Sequence, residues 1–291
     1  MTVATRVPQQ RAELLATERI GAYHRLRFGA PDVAARALPG QFVAAAVGGP
    51  LSAHLLRRCF SLHRAEGGGV EVVVAPRGPG TRWLTELPVG GVVDLVGPLG
   101  TPFPLAQPGA PCVLVGGGYG SAPLFWLADQ LRRRGCPVRL VLGAASADRL
   151  FGIDLAAEVA EDVRVTTDDG SLGTQGWVSD VLPGLTTRDT VVYACGPMAM
   201  LRAVTGIATA AGAVAHVAVE ESMACGVGIC MTCVLPVRSE GGVTRMVRSC
   251  VEGPVFRGDR VRWDAFENGW CRVPADAVGA PGQATRADAQ P

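Results

Sequence analysis

Four cysteines toward the C-terminal end carry the strongest chemical signal in this chain. Cys225, Cys230 and Cys233 are spaced C-x4-C-x2-C, and Cys250 follows after sixteen further residues. Thiolates at this spacing can hold a 2Fe–2S cluster. Such ligands must lose their protons together, so they belong on one tight loop. Gly226 and Gly228 lie between the first two ligands, where a residue without a side chain lets the backbone wrap closely and aim N–H groups at sulfur. A four-cysteine structural zinc site is the alternative, although such sites more often show paired C-x2-C units and only one occurs here. A cluster of this kind moves single electrons, so its loop is expected to face the surface, within reach of another protein.

Two glycine-containing loops suggest a nucleotide. Gly116-Gly-Gly-Tyr-Gly-Ser-Ala-Pro-Leu124 follows the apolar run Cys112-Val-Leu-Val115. A glycine turn at a strand end lets phosphates approach backbone N–H groups. The segment departs from G-x-G-x-x-G, because Pro123 stands at the last glycine position, and a plain tight turn explains it nearly as well. Cys195-Gly-Pro-Met198 follows another predicted strand. In a doubly wound sheet both loops lie at the carboxyl ends of the strands, where ligands bind. The candidate nucleotide residues are therefore Gly116, Gly117, Gly118, Gly120, Gly196, Pro197 and Met198, with Cys195 as the candidate catalytic side chain. The alternative for Cys195 is a buried core thiol. Arg57-Arg-Cys-Phe-Ser-Leu62 is a third constellation: arginine can clamp a diphosphate, an aromatic ring can stack on a flavin, and a hydroxyl can bond a ring nitrogen. Alone it also reads as an ordinary strand.

The elements that must position these residues point to a multi-domain α+β chain. Its 291 residues suffice for two or three domains, and 48% are hydrophobic, which argues against disorder. A net charge of +1 gives no case for nucleic acid or an anionic membrane. All 27 basic residues are arginine, which excludes a Schiff-base or P-loop lysine. Residues 12–107 read as short strands between Gly and Pro clusters, an antiparallel barrel. Residues 108–213 alternate strands with helical stretches, a doubly wound sheet. Residues 214–271 hold the cysteine segment as a small C-terminal domain. Residues 1–11 read as a flexible N-terminus and 272–291 as a disordered tail. The uncharged run 101–128 contains five prolines and five glycines, so it would not form one membrane-spanning helix. The first ten residues lack an apolar h-region, and four of nine cysteines are clustered; a reducing cytoplasm is the expectation.

Arg58-x-Phe60-Ser61, Gly78-x-Gly80-Thr81, Gly97-Pro-Leu-Gly100, Gly116-Gly-Gly-x-Gly120, Cys195-Gly-Pro197 and the four cysteines occur in one order. This order resembles the ferredoxin–NADP reductase superfamily. More closely it resembles the electron transfer subunits of NAD-dependent, two-subunit dihydroorotate dehydrogenases. Thr167-Asp-Asp-Gly-Ser171, Gly173-x-x-Gly176, Glu220-x-x-Met223-Ala-Cys-Gly-Val-Gly228 and Glu252-Gly-Pro-Val-Phe256 strengthen that closer likeness.

The resemblance implies a FAD-binding barrel, a NAD-binding α/β domain and a 2Fe–2S domain. Arg58 would bind the FAD diphosphate, Phe60 would lie near the isoalloxazine and Ser61 would bond it. Val73, Val74 and Ala75 would line the flavin through backbone contacts, and Gly80 and Thr81 would open a short phosphate-cradling helix. Residues 116–120 and 195–198 would bracket NAD(H), and Cys225, Cys230, Cys233 and Cys250 would hold the cluster. The implied partner is an FMN-containing dihydroorotate dehydrogenase catalytic subunit, two of each forming a heterotetramer in pyrimidine biosynthesis. Electrons would pass between that FMN and NAD through the cluster and FAD. Other oxidoreductase partners, or a zinc-stapled binding module without flavin, remain alternatives. Phe60 stands where many superfamily members have Tyr, and Tyr119 where the close family usually has a small aliphatic residue. Asp148, after the second sheet strand, is expected to face the adenosine ribose and select NAD over NADP; a solvated loop acid is the equal alternative.

Overall fold

The computed structural model describes residues 7–49, 52–267 and 270–278. Six antiparallel strands close into a barrel: β1 (Gln9–Ile20), β2 (Tyr23–Gly29), β3 (Phe42–Ala45), β4 (Arg58–Glu66), β5 (Gly69–Val74) and β6 (Val92–Leu99), in the order β1-β2-β5-β4-β3-β6. The alternation in β6 shows why these residues fold so. Val93 and Leu95 turn inward onto Leu14, Leu26, Phe28, Leu62 and Val74, with polar Asp94 on the opposite face. Short helices α1 (Pro31–Ala34) and α2 (Pro79–Thr85) interrupt the barrel.

The chain then builds an α/β sheet from β7 (Cys112–Gly117), α3 (Ala122–Arg133), β8 (Val138–Ala144), α4 (Ile153–Val159), β9 (Asp162–Thr167), β10 (Thr174–Gln175), α5 (Val178–Val181), β11 (Val191–Cys195), α6 (Met198–Ala210) and β12 (Val214–Ala218). After β12 comes the cysteine loop, the hairpin β13 (Val234–Arg238) and β14 (Thr244–Arg248), then β15 (Val255–Arg257). The sheet order is β10-β9-β8-β7-β11-β12-β15, parallel except for β15 against β12. The uncharged run is explained by burial on two sides: α3 packs on both β7 and the barrel strand β4, and the buried His63 ring donates from Nδ1 to the Ala122 carbonyl at 2.6 Å. Among the described residues no helix is long and apolar enough to cross a membrane.

The boundaries differ from the sequence expectation in three places. Gln9, Gln10 and Arg11, expected to be flexible, pair with Val96, Leu95 and Asp94 of β6. Residues 214–218 and 255–257, expected in a separate cysteine domain, are strands of the α/β sheet, because Ala215 and Val217 complete the core under α6 with Leu201 and Val204. Residues 272–278 of the expected tail are packed: Arg262 pairs with Asp276 at 2.7 Å, and Ala277 is fully buried beside Thr244. Residues 279–291 lie outside the described residues.

Candidate functional site: two cavities and a cysteine loop

A cavity of 690 Å³ opens between the barrel, the sheet and the cysteine loop. Barrel strands β4 and β5 contribute Arg58, Phe60, Ser61, Val73 and neighbouring Ala75, and α2 contributes Thr81. The two adjacent arginines have different jobs. Arg57 is pinned by an ion pair to Asp94 at 2.5 Å and a bond to the Asp94 carbonyl at 2.8 Å. Among the described residues Arg58 has no carboxylate partner and bonds only to the Leu56 and Arg57 carbonyls, which leaves its charge available to an anion. Gly80 lies under it: a Cβ there would stand 2.9 Å from Val47 and 3.2 Å from the Arg58 guanidinium. Thr81 Oγ1 accepts from the Gly78 N–H at 3.0 Å and fixes the start of α2. The wall is apolar along Val73 and Ala75, with the Arg58 cation beside Thr81 of α2, a combination that suits a flat ring joined to a diphosphate.

A second cavity, of 720 Å³, runs over the carboxyl ends of the sheet strands. Its lining passes from Glu220 beyond β12, past Pro197 and Gly117, to Ala144 and finally Asp168 beyond β9. In sheet order that is β12-β11-β7-β8-β9, four strand spacings or about 19 Å, enough for an extended dinucleotide. The glycines act by letting backbones touch. A Cβ on Gly196 would stand 3.0 Å from Gly117 Cα, and one on Gly120 would stand 2.8 Å from the Cys195 carbonyl oxygen. At the far end exposed Trp177 and Asp168 line the cavity, and the buried Thr166 hydroxyl has no partner among the described residues. An orphaned buried hydroxyl on a cavity floor fits a polar ligand.

The acid on this cavity is not the one expected. Asp148 accepts from Ser146 Oγ at 2.5 Å and does not line the cavity. In the Asp168–Asp169 pair, Asp169 is consumed by the turn, accepting from the Ser171 N–H and hydroxyl. The Asp168 carboxylate has no partner among the described residues and opens into the cavity. Among the expected residues, the side chains of Val74 and Met198 pack into the barrel and sheet cores. Gly116 lies against Ser121, where a Cβ would meet Cβ at 2.5 Å. Sequence reasoning missed Asp168, Trp177, Thr166 and Arg77. Only the run from Thr167 to Ser171 offered a signal for the first.

Cys195 lines the first cavity and is almost wholly buried. Burial, then the charge of Glu220, pushes its thiol pKa well up, which favours the neutral thiol over the thiolate. Glu220 opens into both cavities but has protein packed densely around it. Desolvation raises its pKa, and Arg77 opposes the shift.

The four loop cysteines stand as two pairs. Cys225 and Cys230 interact at the surface, and Cys233 and Cys250 interact in the buried layer behind them. The N–H groups of Val227, Ile229 and Cys230 point at Cys225 Sγ from 3.4, 3.4 and 3.5 Å. They outweigh desolvation and lower the pKa of Cys225, while the Thr232 hydroxyl and N–H hold Cys230 down at about 6. Left-handed φ values at Gly226 (72°) and Gly228 (83°) allow this wrap. N–H groups aimed at sulfur suit thiolate ligands of iron; among the described residues no three of these side chains are yet gathered closely enough to hold a metal ion. Cys59, a fifth thiol on β4, lines the first cavity and stands 3.2 Å from where a Gly226 Cβ would be. Cys230 and its neighbour Ile229 are exposed, so the loop faces outward as expected.

A family model, the iron–sulfur cluster binding domain of dihydroorotate dehydrogenase B, matches residues 220–262. The dihydroorotate dehydrogenase B (NAD(+)) electron transfer subunit of Desulforamulus reducens is 35% identical over 82% of this chain and 92% of its own length. That of Bacillus caldolyticus is 40% identical over 77% of this chain and 86% of its own. A solved structure of the NADH-dependent reduced ferredoxin–NADP oxidoreductase, studied for flavin-based electron bifurcation, superposes with a TM-score of 0.76 at 30% identity, covering 87% of this chain and 90% of that one. With its likeness running almost the full length of the first of these relatives, this chain belongs to the family of dihydroorotate dehydrogenase B electron transfer subunits.

Proposed function

We propose that this chain is a flavin- and iron–sulfur-dependent oxidoreductase subunit that passes electrons between an FMN-containing dihydroorotate dehydrogenase catalytic subunit and NAD, in pyrimidine biosynthesis. One observation carries the reading. The first cavity shares Tyr119 and Glu220 with the nucleotide cavity on one side, and on the other is lined by Met223, Ala224 and Thr232 of the cysteine loop. The two cavities and the cysteine loop thus adjoin one another in series, which supports the reading. Bound FAD supplies the exchange between the two-electron hydride of NADH and the single electrons of a 2Fe–2S cluster. The chain's own residues hold, orient and shield these groups.

Arg58 and Thr81 hold the FAD diphosphate, with Gly80 leaving room beside the guanidinium. Phe60, Ser61, Val73 and Ala75 line the ring. Gly117, Gly118 and Pro197 cradle the NAD diphosphate, Trp177 stacks on adenine, and Asp168 takes the ribose hydroxyls and repels a 2′-phosphate. Cys225, Cys230, Cys233 and Cys250 hold the cluster. Val227, Ile229 and Met231, all exposed around Cys230, form an apolar rim on which the partner subunit docks. The chain itself has no dihydroorotate site; that chemistry belongs to the partner, with two of each subunit in a cytoplasmic assembly.

A second reading keeps the cofactors and changes the partner, and the 0.76 TM-score to the bifurcating oxidoreductase favours it. Co-expression with an FMN-containing dihydroorotate dehydrogenase catalytic subunit separates the two. The first reading predicts a complex that reduces NAD+ with dihydroorotate. A complex lacking that activity but reducing another redox protein with NADH supports the second.

A further inference from the structure

The two cavities have three lining residues in common: Arg77, Tyr119 and Glu220. A nicotinamide bound with its diphosphate in the second cavity has to cross this boundary, because hydride transfer needs the reacting atoms about 3–3.5 Å apart. Tyr119 stands in the crossing. It sits in the single turn between β7 and α3, flanked by Gly118 at φ +55° and by Gly120. Its ring is held from one side by the Arg77 guanidinium, 4.9 Å from the ring centre, and from the other by the edge of Tyr23 at 5.7 Å. Its hydroxyl has no partner among the described residues. Two other tyrosines in the region are tied differently: Tyr23 donates to the Arg149 carbonyl at 2.8 Å, and Tyr193 to the Pro104 carbonyl at 2.9 Å. All three make ring contacts, but among the described residues Tyr119 alone adds no hydroxyl bond to them, and ring contacts are what a second flat cation-bearing ring can replace.

We propose that Tyr119 gates the nicotinamide. At rest its ring, latched by Arg77, fills the passage between the cavities, and the nicotinamide reaches the flavin only when the ring swings aside. The inference rests on the reading of the second cavity as the NAD site. It assigns Tyr119 a positioning role, and Arg77 the role of setting how often the gate is open.

Calorimetric titration of the FAD-loaded full chain with NAD+ and with ADP-ribose, which lacks the nicotinamide, tests this. A seat closed nine times in ten weakens apparent affinity about tenfold, so in the wild type the two ligands should bind within about twofold of each other. In Tyr119→Ala, NAD+ should bind at least about tenfold more tightly than ADP-ribose, with ADP-ribose unchanged. A long-wavelength absorbance band from nicotinamide stacked on flavin should grow in parallel. Tyr119→Phe, which keeps the ring over Arg77, should keep the wild-type ratio, and Arg77→Gln should fall between. An unchanged ratio in Tyr119→Ala overturns the gate. So does a fall in the ratio, which would make the ring a platform for nicotinamide. If ADP-ribose fails to bind the wild type at all, the reading of the second cavity falls and the gate with it.

Discussion

Acid should loosen strand β12 through His216. This ring stacks on Tyr193 with centroids 5.6 Å apart and planes 25° from parallel. Burial first, then the charge of Arg257 opposite it, lowers its pKa from 6.5 to about 4, with Asp259 opposing. Because the folded pKa lies below the unfolded one, the unfolded chain binds more protons between these values. The stabilisation is therefore complete above about pH 6.5 and is lost as pH falls toward 4. At pH 5 linkage puts the loss at about 2 kcal/mol, reduced to about 1–2 because the ring is only partly buried. β12 leads directly into Glu220 and the cysteine loop, so this strand seats both cavities. Urea unfolding of the wild type and His216→Phe, each at pH 7.5 and 5.0, isolates the effect, since His63 and cofactor lability are common to both. The wild type should lose about 1–2 kcal/mol more than the variant between the two pH values. Equal losses would refute the argument.

Asp168→Ser should raise kcat/KM for NADPH relative to NADH by roughly tenfold or more, since a carboxylate no longer faces the 2′-phosphate; an unchanged preference would remove Asp168 from the ribose site. Gly120→Ala pushes a methyl against the Cys195 carbonyl and Gly196 Cα, both at 2.8 Å. Backbone cannot yield as a flexible side chain does, so thermal unfolding should report a loss of roughly 1–3 kcal/mol together with weakened NADH reduction of the flavin. Iron analysis should find Cys250→Ala depleted of iron and Cys59→Ala fully loaded, because only the former removes one of the two thiol pairs; the reverse pattern would redraw the ligand set.

Much of this organisation was legible in the sequence for identifiable reasons. Cys225, Cys230 and Cys233 reveal a ligand loop because spacing along one loop is itself the geometry. The alternation in β6 and the apolar run of β7 reveal a barrel and a sheet because burial repeats with strand period. What depended on long-range packing was hidden. Nothing local distinguishes Arg57 from Arg58; Asp94, 37 residues away from Arg57, decides which keeps a free charge. Asp148 was a reasonable ribose ligand by position, but Ser146 takes its carboxylate, and Asp168 reaches the cavity because the turn uses Asp169 instead. β12 was assigned to the cysteine domain because its partners in space, β11 and β15, lie on either side of it in sequence at very different distances. The packed residues 272–278 rest on one arginine, Arg262, whose reach to Asp276 no periodicity announces.

The central claim is that electrons run through this chain between a partner's dihydroorotate chemistry and NAD. Its most direct test is NAD+ reduction, followed at the NADH absorbance, by the purified complex of this chain with an FMN-containing dihydroorotate dehydrogenase catalytic subunit when dihydroorotate is added. The account predicts steady NADH formation that Cys250→Ala abolishes while the partner alone still reduces an artificial acceptor. NADH formation that persists without an intact cluster, or none at all from the intact complex, would contradict it.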